Sequence, residues 1–585
     1  MSRAVANTVW ASGFADELAR AGVREVVLAP GSRSTPLVLA FARDGRFKLR
    51  VHLDERSAAF FALGVGKASG VPAAVVTTSG TAAANLLPAV VEAAQSEVPL
   101  LVLTADRPHR LRDADANQAI DQVRLYGSYV RAFHEVSPPV LGDAELRHLR
   151  TLACRTVVEA KGPPAGPVHL NFPFDKPLEP TAVPGDFAQA HPLAARGRPG
   201  SAPFVRIVPG RTVPEADELA RLADALGSAE GVVVAGPCPD AERVGPAVRA
   251  LAAATGFPLL ADALSGARFG PSRGAHVVAA YDLFLREPAA VERLTPSVVL
   301  RVGASPTSAP VLEWMQRHAA VPQVVVDDGD RWKDHGSTAS LYAIAGAAAT
   351  LEALAGRVER SVSEAWAERW RAVESAALEA LSADAGEAHE GTVWEAVLST
   401  APSDGALFTS SSMPVRDLDA FGHARERALF VVGNRGASGI DGIVSTAFGV
   451  ASQRGAPTVC VLGDIAFFHD QNGLLWHREA DAAVVFVLID NDGGGIFHML
   501  PVAEHEPHFT PLVATPHGLD LGHAVELHGL ELRDVAIVDL EAALLEAVAA
   551  GLTTVLRVRT DRVESHRRRG EVVDAVKRSV REALG

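Results

Sequence analysis

Two residues late in the chain have the types and the placement to hold a divalent cation. The apolar run VCVLG ends at Asp464, and the run FVLID is followed by Asn491. Both runs read as buried strands, so a carboxylate and a side-chain amide oxygen are expected on one carboxyl rim of a parallel sheet. Hard oxygen donors of this kind suit Mg²⁺. Gly493 can add a backbone carbonyl, because it has no side chain to hinder close approach.

A second group of polar residues recurs at strand ends near the start of the chain. Gly31, Ser32 and Arg33 follow REVVLAP, and Asp54, Glu55 and Arg56 follow FKLRVHL. Ser79, Gly80 and Thr81 follow AAVVTT, and Asp106 and Arg107 follow LLVLTA. Four strand ends thus bring polar groups to one rim. Ser, Thr, Asp and Gly are common caps and turn residues, and a carboxylate at Glu55 would be favoured by a helix dipole in any case. A turn or cap explains Arg33, Glu55 and Arg107 poorly.

The elements that must position these residues alternate between strand and helix. In the first region Trp10, Phe14 and Leu18 recur at helical spacing, with Gly22 ending the helix. The strands that follow are short continuous apolar runs, which indicates a parallel sheet covered on both faces. A second set, GVVVAG, FPLLAD, SVVLRVG and QVVVDDG, spans a central region. A third set, ALFTSSS, ALFVVGN, PTVCVLGD, AAVVFVLIDN and LTTVLRVRT, spans the last. HDQNGLLWHREAD reads as one helix between Asp464 and Asn491, and the Pro-, Ala- and Gly-rich stretch 185–205 as a linker. The expected fold is α/β, with three doubly wound parallel-sheet domains at 1–185, 205–345 and 385–585.

Composition excludes several classes. The chain has 585 residues with 48% hydrophobic content, ordinary for packed domains. Its net charge of −15 argues against a nucleic-acid binder, while leaving room for local arginine clusters that meet anionic small molecules. Three scattered cysteines fit neither a disulfide framework nor a zinc site. No apolar run is long enough for a membrane span. Asp16 and Glu17 stand where a signal peptide needs an apolar core, so a cytoplasmic location is expected.

The GD…N arrangement resembles the diphosphate motif of the thiamine diphosphate enzymes. In that superfamily the Asp, the Asn and a carbonyl two residues further on hold the metal. The resemblance therefore implies Asp464, Asn491 and Gly493 as ligands of Mg²⁺ (or Mn²⁺). The superfamily's glutamate bonds the cofactor's aminopyrimidine ring, and Glu55 stands at that place. PGSRSTPL, LDERSAAFFALG, TTSGTAAANLLPAVVEA, LTADRP, ANQAIDQ, NRGASGIDG and DNDGGGIF narrow the match. They are similar to the 2-succinyl-5-enolpyruvyl-6-hydroxy-3-cyclohexene-1-carboxylate (SEPHCHC) synthase family of menaquinone and phylloquinone biosynthesis.

That resemblance covers most of the first and last regions and is weak in the middle. It implies thiamine diphosphate-dependent decarboxylation of 2-oxoglutarate and 1,4-addition of the succinyl-semialdehyde carbanion to isochorismate, a transferase reaction. The domains become pyrimidine-binding, central and diphosphate-binding in turn. Glu55 is implied as the catalytic residue. Ser79, Gly80, Ile496 and Phe497 would join it and the metal ligands around the cofactor. Ser32, Arg33, Arg107, Asn117, Gln118, Ser412, Arg416, Arg435 and Leu500 would face substrate, where arginine suits dicarboxylates because its planar fork binds them bidentately. A homodimer or homotetramer with sites between chains is also implied.

The sequence departs from the pattern at two places. GD is followed by Ile465 and Ala466, and Ala309 and Pro310 stand where the family often has a basic pair. No site residue is therefore expected in the middle region. The other reading of the motifs is a different thiamine diphosphate-dependent carboligase or decarboxylase, acting on pyruvate or oxalyl-CoA. It would need fewer arginines or a nucleotide site, and the middle region has no G-x-G-x-x-G. A non-catalytic protein of the same fold would be signalled by loss of Glu55 or Asp464, and both are present. His505 and His508 lack a third ligand at sensible spacing.

Overall fold

The computed structural model describes residues 2–227, 229–329, 331–383, 388–479, 481 and 483–585. It contains three six-stranded sheets, each with all of its strand pairs parallel. The first holds β1 (Glu25–Leu28), β2 (Lys48–Val51), β3 (Ala73–Thr77), β4 (Leu100–Asp106), β5 (Ala132–Glu135) and β6 (Pro167–Pro173), in the order β2-β1-β3-β4-β6-β5. The second holds β7 (Gly231–Ala235), β8 (Leu259–Ala261), β9 (Val277–Val278), β10 (Val298–Val302), β11 (Gln323–Asp327) and β12 (Leu341–Ile344). Its order is β12-β11-β10-β7-β8-β9, the doubly wound arrangement of dinucleotide-binding folds. The third holds β13 (Ala406–Thr409), β14 (Val431–Gly433), β15 (Thr458–Gly463), β16 (Val484–Asp490), β17 (Leu532–Asp534) and β18 (Thr554–Arg559). Its order, β14-β13-β15-β16-β18-β17, repeats that of the first sheet.

The chain forms two compact units. One comprises 1–209, 434–454 and 469–482; the other comprises 210–433, 455–468 and 483–585. In the first unit Trp10, Phe14 and Leu18 project from the helix Arg3–Arg20 into a core with Val26, Val76, Leu101 and Leu103, as their spacing predicts. The helix Glu55–Ser69 packs along the helix Ile443–Ala451 in the same unit. In the second unit the buried strands of the second sheet pack against Leu251, Leu351 and Leu354. Those of the third pack against Trp394, Val397 and Leu544. No helix among the described residues is long and apolar enough to cross a membrane.

Two expectations change. HDQNGLLWHREAD is not one helix: an α-helix Asp464–His469 ends before a 3-10 helix Gln471–Arg478. The cause is Asp470, whose buried carboxylate turns away to accept from Ser445 N–H at 2.7 Å and from the Ser445 and Ser57 hydroxyls, both at 3.2 Å. The stretch 185–205 is not a free linker. It forms short helices held by buried Arg150, which donates to the carbonyls of Ala194 and Ala195 at 2.8 and 2.9 Å. Strands β5, β6, β9, β12 and β17 complete the sheets without having been legible. β6 carries His169 and Asn171 mid-strand, and β9 spans only two residues.

Candidate active site

Asp464 opens the helix that follows β15, and Asn491 follows β16, the adjacent strand. The two meet directly. Asp464 Oδ2 accepts the backbone N–H groups of Asn491 at 3.1 Å and Gly493 at 3.0 Å. Gly493 has φ +139°, and a Cβ there would lie 2.4 Å from the carbonyl of Ala514, so only glycine fits. Asn491 donates its Nδ2 to Glu390 Oε1 at 2.9 Å, which fixes the amide's orientation. Its Oδ1 is then buried with no hydrogen-bond partner. An acceptor in that state costs free energy unless something supplies positive charge.

The surroundings are rich in acceptors. Oxygens of Asp464 and Asp490 and a ring nitrogen of His517 lie within 4.8 Å of one another, the one such metal-competent group among the described residues. Asp490 is raised above the ordinary carboxylate range, first by burial and then by the charge of Asp464. Burial pushes Glu390 up to about 7, against the bonds from Asn491 and Thr560. His517 Nδ1 accepts the N–H of Leu519 at 3.0 Å, and its Nε2 lies 3.2 Å from Asp464 Oδ2. The Asp464 carboxylate and the unpartnered Asn491 Oδ1 are hard oxygens of the kind that fit a divalent cation.

The remaining site residues of the last region lie in the same unit. Ile496 and Phe497 sit half-buried in a 3-10 turn, and Leu500, just beyond it, is exposed. Ser412 precedes the helix Met413–Phe421 with φ +71°, and its side chain makes no capping bond there. A non-glycine residue held in the left-handed region is a frequent mark of a ligand-binding turn. Its carbonyl accepts from Arg416 Nη1 at 2.7 Å.

In the first unit hydrogen bonds join the ends of β1, β3 and β4, with Arg33 N–H bonded to Thr78 Oγ1 at 3.2 Å. Arg107 donates Nη1 to Ser79 Oγ at 3.0 Å, and Nε and Nη2 to the carbonyl of Asn117 at 3.1 and 2.6 Å. Gln118, at φ +54°, donates to the Ser79 carbonyl and accepts from the Ser79 hydroxyl at its own carbonyl. Arg33 is buried, donates Nη1 to the Phe174 carbonyl at 2.9 Å, and leaves Nε buried without a partner. Burial, and then repulsion from Arg107, lower its pKa from the ordinary arginine value. Two neighbouring guanidinium groups in a dry setting form a natural anion site. Ser32 is exposed beside them.

Glu55 is the first residue of the helix Glu55–Ser69, but it does not cap it. Asp54 does, accepting from the N–H groups of Arg56 and Ser57 at 2.9 and 3.3 Å. Glu55 is half-buried and accepts only a long bond from Asn85 Nδ2 at 3.5 Å. The helix end is thus satisfied without it. Arg435 lies half-buried in the loop after β14 and also belongs to the first unit.

Several polar groups at the middle sheet's rim bond one another. Asp262 accepts the N–H groups of Leu264 and Thr307, and Lys333 pairs with Asp327 at 2.7 Å. Ser308 caps the helix Ala309–Arg317, and Pro310 sits in its first turn, where a missing N–H costs nothing. These positions serve helix initiation. Sequence reasoning missed Glu390 and also Arg562, which donates to the carbonyls of Asn491 and Asp492. It missed Gln122 as well, whose Oε1 accepts the Gly80 N–H at 2.9 Å. Glu390 stands in no recognisable motif, and Gln122 closes the ANQAIDQ string.

Comparison with known proteins places the chain in a family. Residues 10–125 match the thiamine pyrophosphate enzyme N-terminal TPP-binding domain, and 203–409 the thiamine pyrophosphate middle domain. The chain is 47% identical to a SEPHCHC synthase of Halobacterium salinarum, over 97% of this chain and 98% of that one. It is 45% identical to one of Roseiflexus castenholzii over 98% and 99%, and 44% identical to one of Haloarcula marismortui over 97% and 98%. The chain belongs to the SEPHCHC synthase family of thiamine diphosphate-dependent enzymes.

Proposed function

We propose that the protein decarboxylates 2-oxoglutarate and adds the remaining four-carbon unit to isochorismate, releasing CO₂ and giving SEPHCHC for menaquinone or phylloquinone synthesis. The observation that carries the substrate class is the desolvated pair Arg33 and Arg107 on the first sheet's rim, with Ser79 and Gln118 locked beside it. Both substrates are dicarboxylates, and two dry guanidinium groups discriminate for such anions. Ser32, Asn117, Arg416, Arg435, Ser412 and Leu500 complete the substrate-facing set.

Thiamine diphosphate, when bound, supplies the thiazolium that stabilises the carbanion left by decarboxylation. Asp464, Asn491 and Gly493 would hold Mg²⁺ or Mn²⁺ against its diphosphate. By accepting from Nδ2, Glu390 would leave Asn491 Oδ1 for such a metal. Ile496 and Phe497 would wall the ring, with Ser79 and Gly80 beside it. Glu55, relieved of capping by Asp54, is available to hold a proton against the pyrimidine ring. A homodimer or homotetramer with sites between chains, in the cytoplasm, follows from the family. The test is isochorismate consumption with 2-oxoglutarate, thiamine diphosphate and Mg²⁺. Comparable turnover of pyruvate with no need for isochorismate would sink the reading.

A further inference from the structure

Arg435 sits in the loop 434–442, which runs from β14 to the helix Ile443–Ala451. Long side chains on loops are poor instruments for orienting a substrate unless the backbone beneath them is fixed. Here the fixing comes from a residue outside the loop. Glu92, on the helix Leu87–Gln95, is 2% exposed. Its Oε1 accepts the N–H of Gly436 at 3.0 Å and its Oε2 the N–H of Ala437 at 2.7 Å. The same Oε1 is 3.2 Å from the ammonium of Lys67, on the helix that begins with Glu55. Lys67 also donates to Ser96 Oγ at 3.2 Å. All of these residues belong to the first unit.

The loop is also pressed close. A Cβ on Gly436 would lie 2.5 Å from the Ser96 nitrogen and 2.8 Å from the Gln95 carbonyl carbon, so a larger residue would push the loop off Glu92. One buried carboxylate thus meets two consecutive backbone donors and one ammonium. Burying an ion pair is not a cheap way to gain stability. Its geometric effect is specific: it joins the Glu55 helix, the Leu87–Gln95 helix and the residue following Arg435.

We propose that Glu92 is a positioning residue that sets where Arg435 presents its guanidinium to a substrate carboxylate, and that Lys67 holds Glu92 in place from the Glu55 helix. This rests on the reading of Arg435 as a substrate contact. A shift of about 1 Å in such a group can cost on the order of 10²-fold in rate.

The experiment is a double-mutant cycle on the full chain with saturating thiamine diphosphate and Mg²⁺. kcat and KM for 2-oxoglutarate and for isochorismate are measured in wild type, Glu92→Gln, Arg435→Ala and the double variant. Arg435→Ala identifies which substrate the arginine meets, through a rise in that KM. Glu92→Gln is expected to raise the same KM by about tenfold, leave the other within about twofold, and add less than about twofold in the Arg435→Ala background. Equal effects on both substrates, or full additivity, overturn the positioning role and leave Arg435 as a contact. No KM change in Arg435→Ala overturns the substrate reading of the arginine and the proposal with it. Should Glu92→Gln fail to fold, hydrogen exchange on the wild type decides. The Gly436 and Ala437 amides should be strongly protected, and exchange at open-loop rates would refute the clamp.

Discussion

Ordered identically along their strands, the first and third sheets differ in the polar atoms left unpartnered near their carboxyl rims. The first presents donors: Arg33 and Arg107, desolvated and partly tied to carbonyls, with Arg33 Nε left unpartnered. The third presents acceptors: Asp464, Asp490 and Glu390, with Asn491 Oδ1 left unpartnered. The two orphan atoms are complementary in sign. One orphan is a donor, which suits an anion, and the other an acceptor, which suits a cation. A shared strand order therefore says where ligands bind, and only the side chains say which. The second sheet differs again, because Asp262, Asp327 and Lys333 near its rim bond groups of the same region.

The largest expected effect lies on the acceptor rim. Asp464→Ala removes the anionic donor and releases the N–H groups of Asn491 and Gly493. Retention of thiamine diphosphate should be lost, and calorimetry showing wild-type affinity would break the metal assignment. Glu55→Gln comes next. The cofactor should still bind, while kcat falls by at least about 10². Hydrogen–deuterium exchange at C2 of the bound cofactor should slow in parallel, and equal exchange in both proteins would remove Glu55 from the mechanism.

Two smaller changes should dissociate the rims. Arg107→Met should raise a substrate KM by about tenfold or more, since hydrogen bonds to charged groups contribute about 1.5–3 kcal/mol. Apparent Mg²⁺ affinity should not move. Glu390→Gln should do the reverse, because it offers Asn491 Nδ2 and Thr560 a poorer acceptor. A residue that orients a metal ligand typically contributes 10- to 100-fold in metal affinity, so a fall of about tenfold is expected with substrate KM unchanged. Mn²⁺ titration followed by electron paramagnetic resonance reads the first quantity, and steady-state kinetics the second. Both parameters moving together in both variants would mean that the rims are not chemically separate.

Much of this was legible before the structure. Continuous apolar runs mark buried parallel strands, so Asp464 and Asn491 could be placed on one rim from their positions after VCVLG and FVLID. What pattern reading lost were residues that act through side-chain bonds rather than position. β6 was hidden because His169 and Asn171 interrupt its apolar run, yet Thr104 Oγ1 bonds both inside the sheet, His169 Nε2 at 2.8 Å and Asn171 Oδ1 at 2.9 Å. Glu390 was hidden because it reaches Asn491 from a distant part of the chain. The helix break at Asp470 came from a carboxylate that prefers Ser445 to its own helix, a choice set by tertiary contact.

The smallest expected effect tests whether a buried acid of the middle region is structural. Glu374, on the helix Glu364–Ala383, accepts from Ala279 N–H at 2.9 Å and Ala280 N–H at 3.2 Å through the same oxygen. Burial raises it to about 7, against those two bonds. Because the folded value lies above the unfolded one, the folded state binds the proton more tightly. The resulting stability is full below the unfolded value near 4.5 and is lost as pH rises through about 7. Glu374→Gln keeps one oxygen for both N–H groups and has no proton to lose. Its stability relative to wild type should therefore improve between pH 5 and pH 8, by up to about 3 kcal/mol if the whole shift is realised. Other buried acids titrate in the same direction, so the difference between the two proteins isolates this one. Urea unfolding followed by tryptophan fluorescence at the two pH values measures it. A difference that does not change with pH would refute the assignment. A kcat change beyond about twofold would mean that the middle region is not the inert partner in the comparison.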